Sequence, residues 1–414
     1  MSATSYVDHK LISFDEFRDD INQMKSQLDL AIKNLKKKTD EGDTVAKILL
    51  YLLQGLFSIL EGEKKFQEGD FKGGALAFDE GEKMINRFQR MGTGFSVEYQ
   101  QQAERLDLFA KGRYAESLAL QQETTFDDKI TQLLEAKNSY TLEAEINKRL
   151  NEYLLNYNAR ARSNFTQGLV DRLKGENWLR KNRLREAKQK HLEAYRSFSI
   201  ATYFNPSYRN WVQEQEKLVN NTLKRLLVTK AQKIWGQAYD LSSEGLFLAS
   251  SEKCNIASKL YKRASNLTNE PIESKIWLAT YYMLQSSRHE AQANESLKNR
   301  NDPAQAAHYF NLASEAMEQA VTSYPTRGAD QASRNRWAVQ QQYYLGSHFN
   351  SQGISKLDQE DYEQAITLFE QAQQIFSASL KTAQDIEEKT LIKLLEKSLA
   401  EAKGYIGMCK TVLD

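Results

Sequence analysis

The chain has 414 residues, 27% of them charged, and a net charge of only +1 at pH 7. That charged fraction is ordinary for a folded protein and excludes wholesale disorder, and the length suits two or three compact domains or one extended repeat array. Only four prolines occur, all beyond residue 200, and neither Gly nor Pro lies between Gly112 and Gly168, which excludes a turn-rich β protein and favours long helices.

The first ten residues, MSATSYVDHK, show no basic segment followed by an apolar run, so no signal peptide is expected. Ser13 followed by Glu16 is a capping-box pattern, in which each side chain satisfies an unpaired backbone N–H. After it Phe14, Phe17, Ile21, Met24, Leu28, Ala31 and Leu35 recur at spacings of three and four, with Lys36, Lys37 and Lys38 where cations suit a helix end. Residues 1–45 therefore read as an amphipathic helix with a flexible start. About three heptads are short for a dimerising coiled coil, and packing on its own chain is the favoured reading. The apolar run 48–60 has 13 residues, against about 20 for a membrane span. A buried helix is expected there, and no transmembrane segment.

Residues 46–160 are expected to hold helical hairpins, with one repeat unit at 55–85, and 161–380 to hold more. GEKKFQEGDFKGGALAFDEG carries Gly62, Phe66, Asp70, Phe71, Gly74, Phe78 and Gly81; GISKLDQEDYEQAITLFEQA carries Gly353, Leu357, Asp361, Tyr362, Ala365, Phe369 and Ala372 at matching offsets. Weaker copies hold Trp178, Ala194, Phe198, Ala201 and Pro206; Gly245, Ala257, Tyr261, Ala264 and Pro271; and Ala306, Phe310 and Ala313 after Asp302-Pro303. FAKGRYAESL around Gly112 and Tyr114 keeps the turn but lacks the second-helix aromatic.

This pattern resembles the tetratricopeptide repeat (TPR). The resemblance implies that the small and aromatic residues are structural, and that the first helices form a concave face receiving a peptide or partner helix. The small residues opening each second-helix run fall at 74, 117, 194, 257, 306 and 365, giving intervals of 43, 77, 63, 49 and 59, against about 34 in tandem repeats. The expected fold is all-α: an irregular TPR-like right-handed superhelix, an α-solenoid of antiparallel hairpins. Its irregularity is similar to that of SNAP-type adaptors and Bro domains. In 381–414 the stripe Leu391, Leu395, Leu399, Ala402, Ile406, Cys409 and Leu413 predicts a final capping helix.

Catalytic patterns are missing. The five histidines are scattered, and there is no GxxxxGK[ST] loop, GxSxG elbow or GxGxxG turn. Cys254 and Cys409 form no CxxC pair and suit a reducing, cytoplasmic setting. Cys254 reads as a packing residue. No enzyme, cofactor or metal is expected.

Charge is unevenly spread. Residues 160–233 hold 17 Lys and Arg against 6 Asp and Glu, while the remainder holds 39 against 49. On a helical wheel Lys181, Arg185 and Lys188 flank one side of the Leu184–Ala187–His191 stripe, and Arg183 and Lys190 the other. Such side chains can simply cover the stripe with their stems, or form a partner-binding band. The band would hold an acidic protein or peptide, or nucleic acid, or meet the chain's own acidic remainder within one molecule or in a homo-oligomer. The leading expectation is a non-enzymatic adaptor or scaffold binding a protein partner, and the alternative is a nucleic-acid-binding module.

Overall fold

The computed structural model describes residues 21–268 and 270–413. Ser13, Glu16, Phe14 and Phe17 lie outside them. The described residues form fourteen α-helices and no strand. A first helix, α1 (Ile21–Asp40), precedes six hairpins, and a last helix, α14 (Lys389–Leu413), follows them. The hairpins are α2 (Thr44–Gln67) with α3 (Phe71–Met91), α4 (Val97–Leu120) with α5 (Phe126–Arg149), and α6 (Tyr153–Arg180) with α7 (Leu184–Phe204). Then come α8 (Arg209–Ser243) with α9 (Phe247–Ser265), α10 (Pro271–Lys298) with α11 (Pro303–Ser323), and α12 (Gln331–Asp358) with α13 (Tyr362–Asp385). The chain divides into two compact units, Met1–Val219 and Asn220–Asp414, the division falling within α8. In each unit successive helices pack side by side, the layering of an all-α solenoid.

Helix starts follow from local chemistry. Asp43, Asp70, Asp302 and Asp361 each accept a hydrogen bond from the backbone N–H three residues on, the N-cap bond that satisfies an orphan donor. Pro271 and Pro303 open α10 and α11, where a missing N–H costs nothing. Seven junctions use the same three-residue turn, whose middle residue is left-handed: Gly42, Gly69, Asn151, Asn182, Gly245, Glu360 and Glu387, with φ between 55° and 91°. Gly and Asn take that conformation readily, Glu less so.

The core repeats one device. Every second helix buries a small residue and, four positions later, an aromatic: Gly74 and Phe78, Ala136 and Tyr140, Ala194 and Phe198, Ala257 and Tyr261, Ala306 and Phe310, Ala365 and Phe369. In four hairpins a first-helix glycine receives that ring. A Cβ at Gly62, Gly168 or Gly353 would sit 2.6–2.7 Å from Phe78, Phe198 or Phe369, and Gly112 faces Tyr140 in the same way. These glycines are set by close approach.

The second hairpin corrects the expected repeat positions. Gly112 and Tyr114 lie inside α4 and not at a turn. The second-helix small residue is Ala136, not position 117. With 136 in place the intervals become 62, 58, 63, 49 and 59, a repeat of roughly sixty residues built from helices of 19 to 35 residues.

α1 buries Met24, Leu28, Ile32 and Leu35 in a core shared with α2, as expected for a helix packed on its own chain. The run 48–60 lies in α2, with Leu52, Leu53 and Ile59 fully enclosed. Among the described residues α2 is the one helix long and apolar enough to cross a membrane, and half of its most apolar window is buried. α14 covers α13: Tyr405 stacks on Phe369 at 4.9 Å, and Leu395 packs with Phe376.

Candidate functional site

The densest basic feature is the tip of the α6–α7 hairpin. α6 ends at Arg180, Asn182 turns the chain at φ 56°, and α7 begins at Leu184, with Arg183 as its N-cap. The turn brings two cations onto one indole: the Arg183 guanidinium lies 4.3 Å from the Trp178 ring centre and Lys181 Nζ 5.4 Å. Cations over a ring face are held by its quadrupole, which fixes side chains that would otherwise sweep solvent. Arg183 also donates from Nε to Glu186 at 2.9 Å. The Glu186 carboxyl is held below its usual range by its own backbone N–H and then by Arg183. Arg180 and Arg185 are exposed and make no ion pair among the described residues.

The five residues singled out in the sequence do not share one environment. Lys181, Arg183 and Arg185 are exposed at the tip, and Lys188 is half-buried one turn along α7. Lys190 turns to Asp171 of α6 at 3.5 Å and to Glu193, and Glu193 raises its pKa. Five of the seventeen basic residues in 160–233 are tied to carboxylates: Arg162, Arg172, Arg183, Lys190 and Lys224. Trp178 was readable only as a repeat aromatic; its role as a seat for cations comes from the turn.

Unit 1 also buries charge that the sequence pattern did not single out. Arg113 of α4 lies 2.6 Å from Glu63 of α2 and 2.9 Å from Glu116, and Tyr140 of α5 donates to Glu116 at 2.8 Å. Burial works against the Arg113 charge, but Glu63, Tyr140 and Glu116 more than offset it and hold the guanidinium protonated. Its face rests on Phe66 at 4.7 Å. Further along, Arg162 of α6 meets Glu143 of α5 at 2.8 Å. These pairs tie α2, α4, α5 and α6 into one slab beneath the surface.

Nucleophile chemistry finds little support in the groups described. The Cys254 thiol is pushed up to about 12 by burial, with Glu290 adding to it, so it stays protonated. His191 is fully buried, held neutral by burial, and its Nδ1 lies 3.1 Å from the Gln215 amide. Among the described residues no group of three His, Cys, Asp or Glu is placed to hold a metal ion.

Six hairpins with one core device, their helices packed side by side within each unit, make this a helical-repeat fold. No protein-family model and no curated protein matches the chain. Among solved structures it is similar to one described as a circular tandem repeat protein with novel repeat topology and enhanced subunit contact surfaces, at 12% identity and a TM-score of 0.24, over 99% of this chain and 96% of that one.

Proposed function

We propose that this chain is a non-enzymatic, cytoplasmic scaffold that holds an acidic protein or peptide partner at the α6–α7 tip. The reading rests on one observation: Arg183 and Lys181 are ordered on Trp178 while Arg180 and Arg185 stand exposed beside them without ion pairs. Pre-ordered cations lose less side-chain freedom when a carboxylate arrives, which favours binding over mere solvation. The small–aromatic–small device on the second helices resembles the TPR, although hairpins of roughly sixty residues are far longer than that family's. Long helices widen each hairpin surface, which suits a scaffold.

The test is in-cell crosslinking and pull-down with the wild type and with Arg180, Lys181, Arg183 and Arg185 all changed to Glu. A protein should co-purify with the wild type and be lost from the variant, whose helical circular dichroism stays the same. Equal recovery by both would sink the proposal. If the variant instead loses RNA or DNA retained at low salt, with affinity falling steeply as salt rises, the tip is a nucleic-acid site.

A further inference from the structure

The opposite end of the same hairpin carries a second surface with different chemistry. α6 begins there and α7 ends there, and Tyr157 of α6 stacks on Phe204 of α7 with ring centres 5.7 Å apart. Tyr153 and Leu154 lie one helical turn from Tyr157, and Ile200 one turn from Phe204. Tyr153, Leu154, Tyr157 and Ile200 are exposed, Tyr153 by 66%, and Tyr203 next to them by 84%, while Phe204 is half-buried. Of twelve large apolar side chains exposed among the described residues of unit 1, five fall at this spot. Scattered exposed apolar residues need no explanation, but a cluster of this kind does.

The cluster borders a groove. A cavity of about 530 Å³ runs between α5 and α6, lined by Thr141, Glu145 and Lys148 from one side and Tyr153, Tyr157 and Arg160 from the other. Its walls are tied together: Thr141 Oγ1 and Ser163 Oγ are 2.8 Å apart, and Asn156 donates to the Ala144 carbonyl at 2.7 Å. The groove is therefore preformed, which lowers the entropic cost of filling it. The rim holds two cations to one carboxylate, and neither Lys148 nor Arg160 makes an ion pair among the described residues.

We propose that this groove and its aromatic edge dock an acidic segment of a partner protein that carries large apolar side chains between its carboxylates. Lys148 and Arg160 would meet the carboxylates, while Leu154, Tyr153, Tyr203 and Ile200 bury the apolar anchors. The occupied ring faces of Phe204 argue against nucleotide bases. Phe204 has Tyr157 stacked on it and the Arg160 guanidinium 5.0 Å from its ring centre, so little of that π-surface is left for a base. Leu154 and Ile200 add aliphatic surface, which matches Phe or Leu side chains better. The site needs a protein partner, as the scaffold reading does, but not the basic tip. With α6 rising 1.5 Å per residue, Tyr157 and Trp178 lie roughly 30 Å apart.

Fluorescence anisotropy with short labelled peptides tests this. The probe alternates Glu with Phe; one control replaces Phe by Ser, and another replaces Glu by Lys. The Glu–Phe peptide should bind, and each control should bind at least about tenfold more weakly. Lys148→Glu with Arg160→Glu, and separately Tyr203→Ala, should each weaken it at least about tenfold without changing the circular dichroism. The variant with the tip reversed to Glu should keep most of the affinity, which separates failure here from failure of the tip. No binding, binding that ignores the groove substitutions, or loss confined to the tip variant would each overturn the proposal. So would an oligouridine that binds through Tyr203, or a dimer of this chain that Tyr203→Ala abolishes.

Discussion

Arg113 sits between two carboxylates in the buried interior of unit 1. Its guanidinium, Glu63 and Glu116 are all buried, and only Tyr140 adds a further hydrogen bond. Each of these charges lost its water on folding, and their mutual attraction returns that cost only while the set is complete. Arg113→Met leaves two carboxylates enclosed without their cation and should cost about 3–5 kcal/mol in urea unfolding. Replacing the whole set, Arg113→Met with Glu63→Leu, Glu116→Met and Tyr140→Phe, should recover most of that loss. If this quadruple variant is as unstable as the single one, the charges contribute more than mutual compensation. His191 makes a second case at this scale. Burial lowers its folded pKa, with Glu176 and Arg172 acting on it in opposite directions, while in the unfolded chain it titrates near 6.5. The unfolded state then binds the proton first. His191's share of stability is complete above about pH 6.5 and is lost as pH falls from there toward the lowered folded value. The melting temperature should fall between about pH 7.5 and 5.5, and His191→Gln should flatten that slope, leaving the part from His289, which burial also lowers. An unchanged slope in the variant would show that His191 is not the group responsible.

Elements were legible where their chemistry was ordinary. The small-then-aromatic pair of the second helix needs only a close packing partner, so five of its six copies could be read directly, down to Phe78 and Phe369. The α5 copy escaped for a definite reason. Seven positions after the small residue the other copies place Gly81, Ala201, Ala264, Ala313 and Ala372, but α5 places Glu143, which pairs with Arg162. A charge in a slot meant for a methyl group hides the motif, and the nearby FAKGRYAESL took its place in the reading. Helix length was equally hidden. Periodicity reports which face is buried, but a helix extended by two turns shows the same stripe. Sites were less legible than elements. The basic tip was visible as charge density, yet Lys190's pairing with Asp171 and Arg183's seat on Trp178 depend on how α6 and α7 meet. The groove left no motif at all, because Lys148, Arg160 and Tyr203 come together only through two different interhelical contacts.

A stack of hairpins has a problem at each end that a closed core does not: its last layer presents an apolar face with no successor. In unit 2 that face belongs to α13, whose Ala365, Phe369 and Phe376 are enclosed by α14 through Leu395, Tyr405, Ile406 and Cys409. In a repeat array stability is carried by neighbour-to-neighbour interfaces, so a terminal layer contributes through a single one and still decides solubility. A chain ending at Glu388 should therefore lose more than one helix's share. The sides of Phe369 and Phe376 that Tyr405 and Leu395 cover would become exposed, and a contiguous aromatic patch of that kind drives self-association. The truncated protein should bind the dye ANS, sediment as aggregates at concentrations where the full chain does not, and unfold at lower urea. Leu395→Asp should give a graded version, because it places one charge in the α13–α14 interface and leaves the backbone intact. If the truncated chain stays monomeric, dark to ANS and equally stable, then α13 does not need its cover, and the packing of α14 is incidental to the fold.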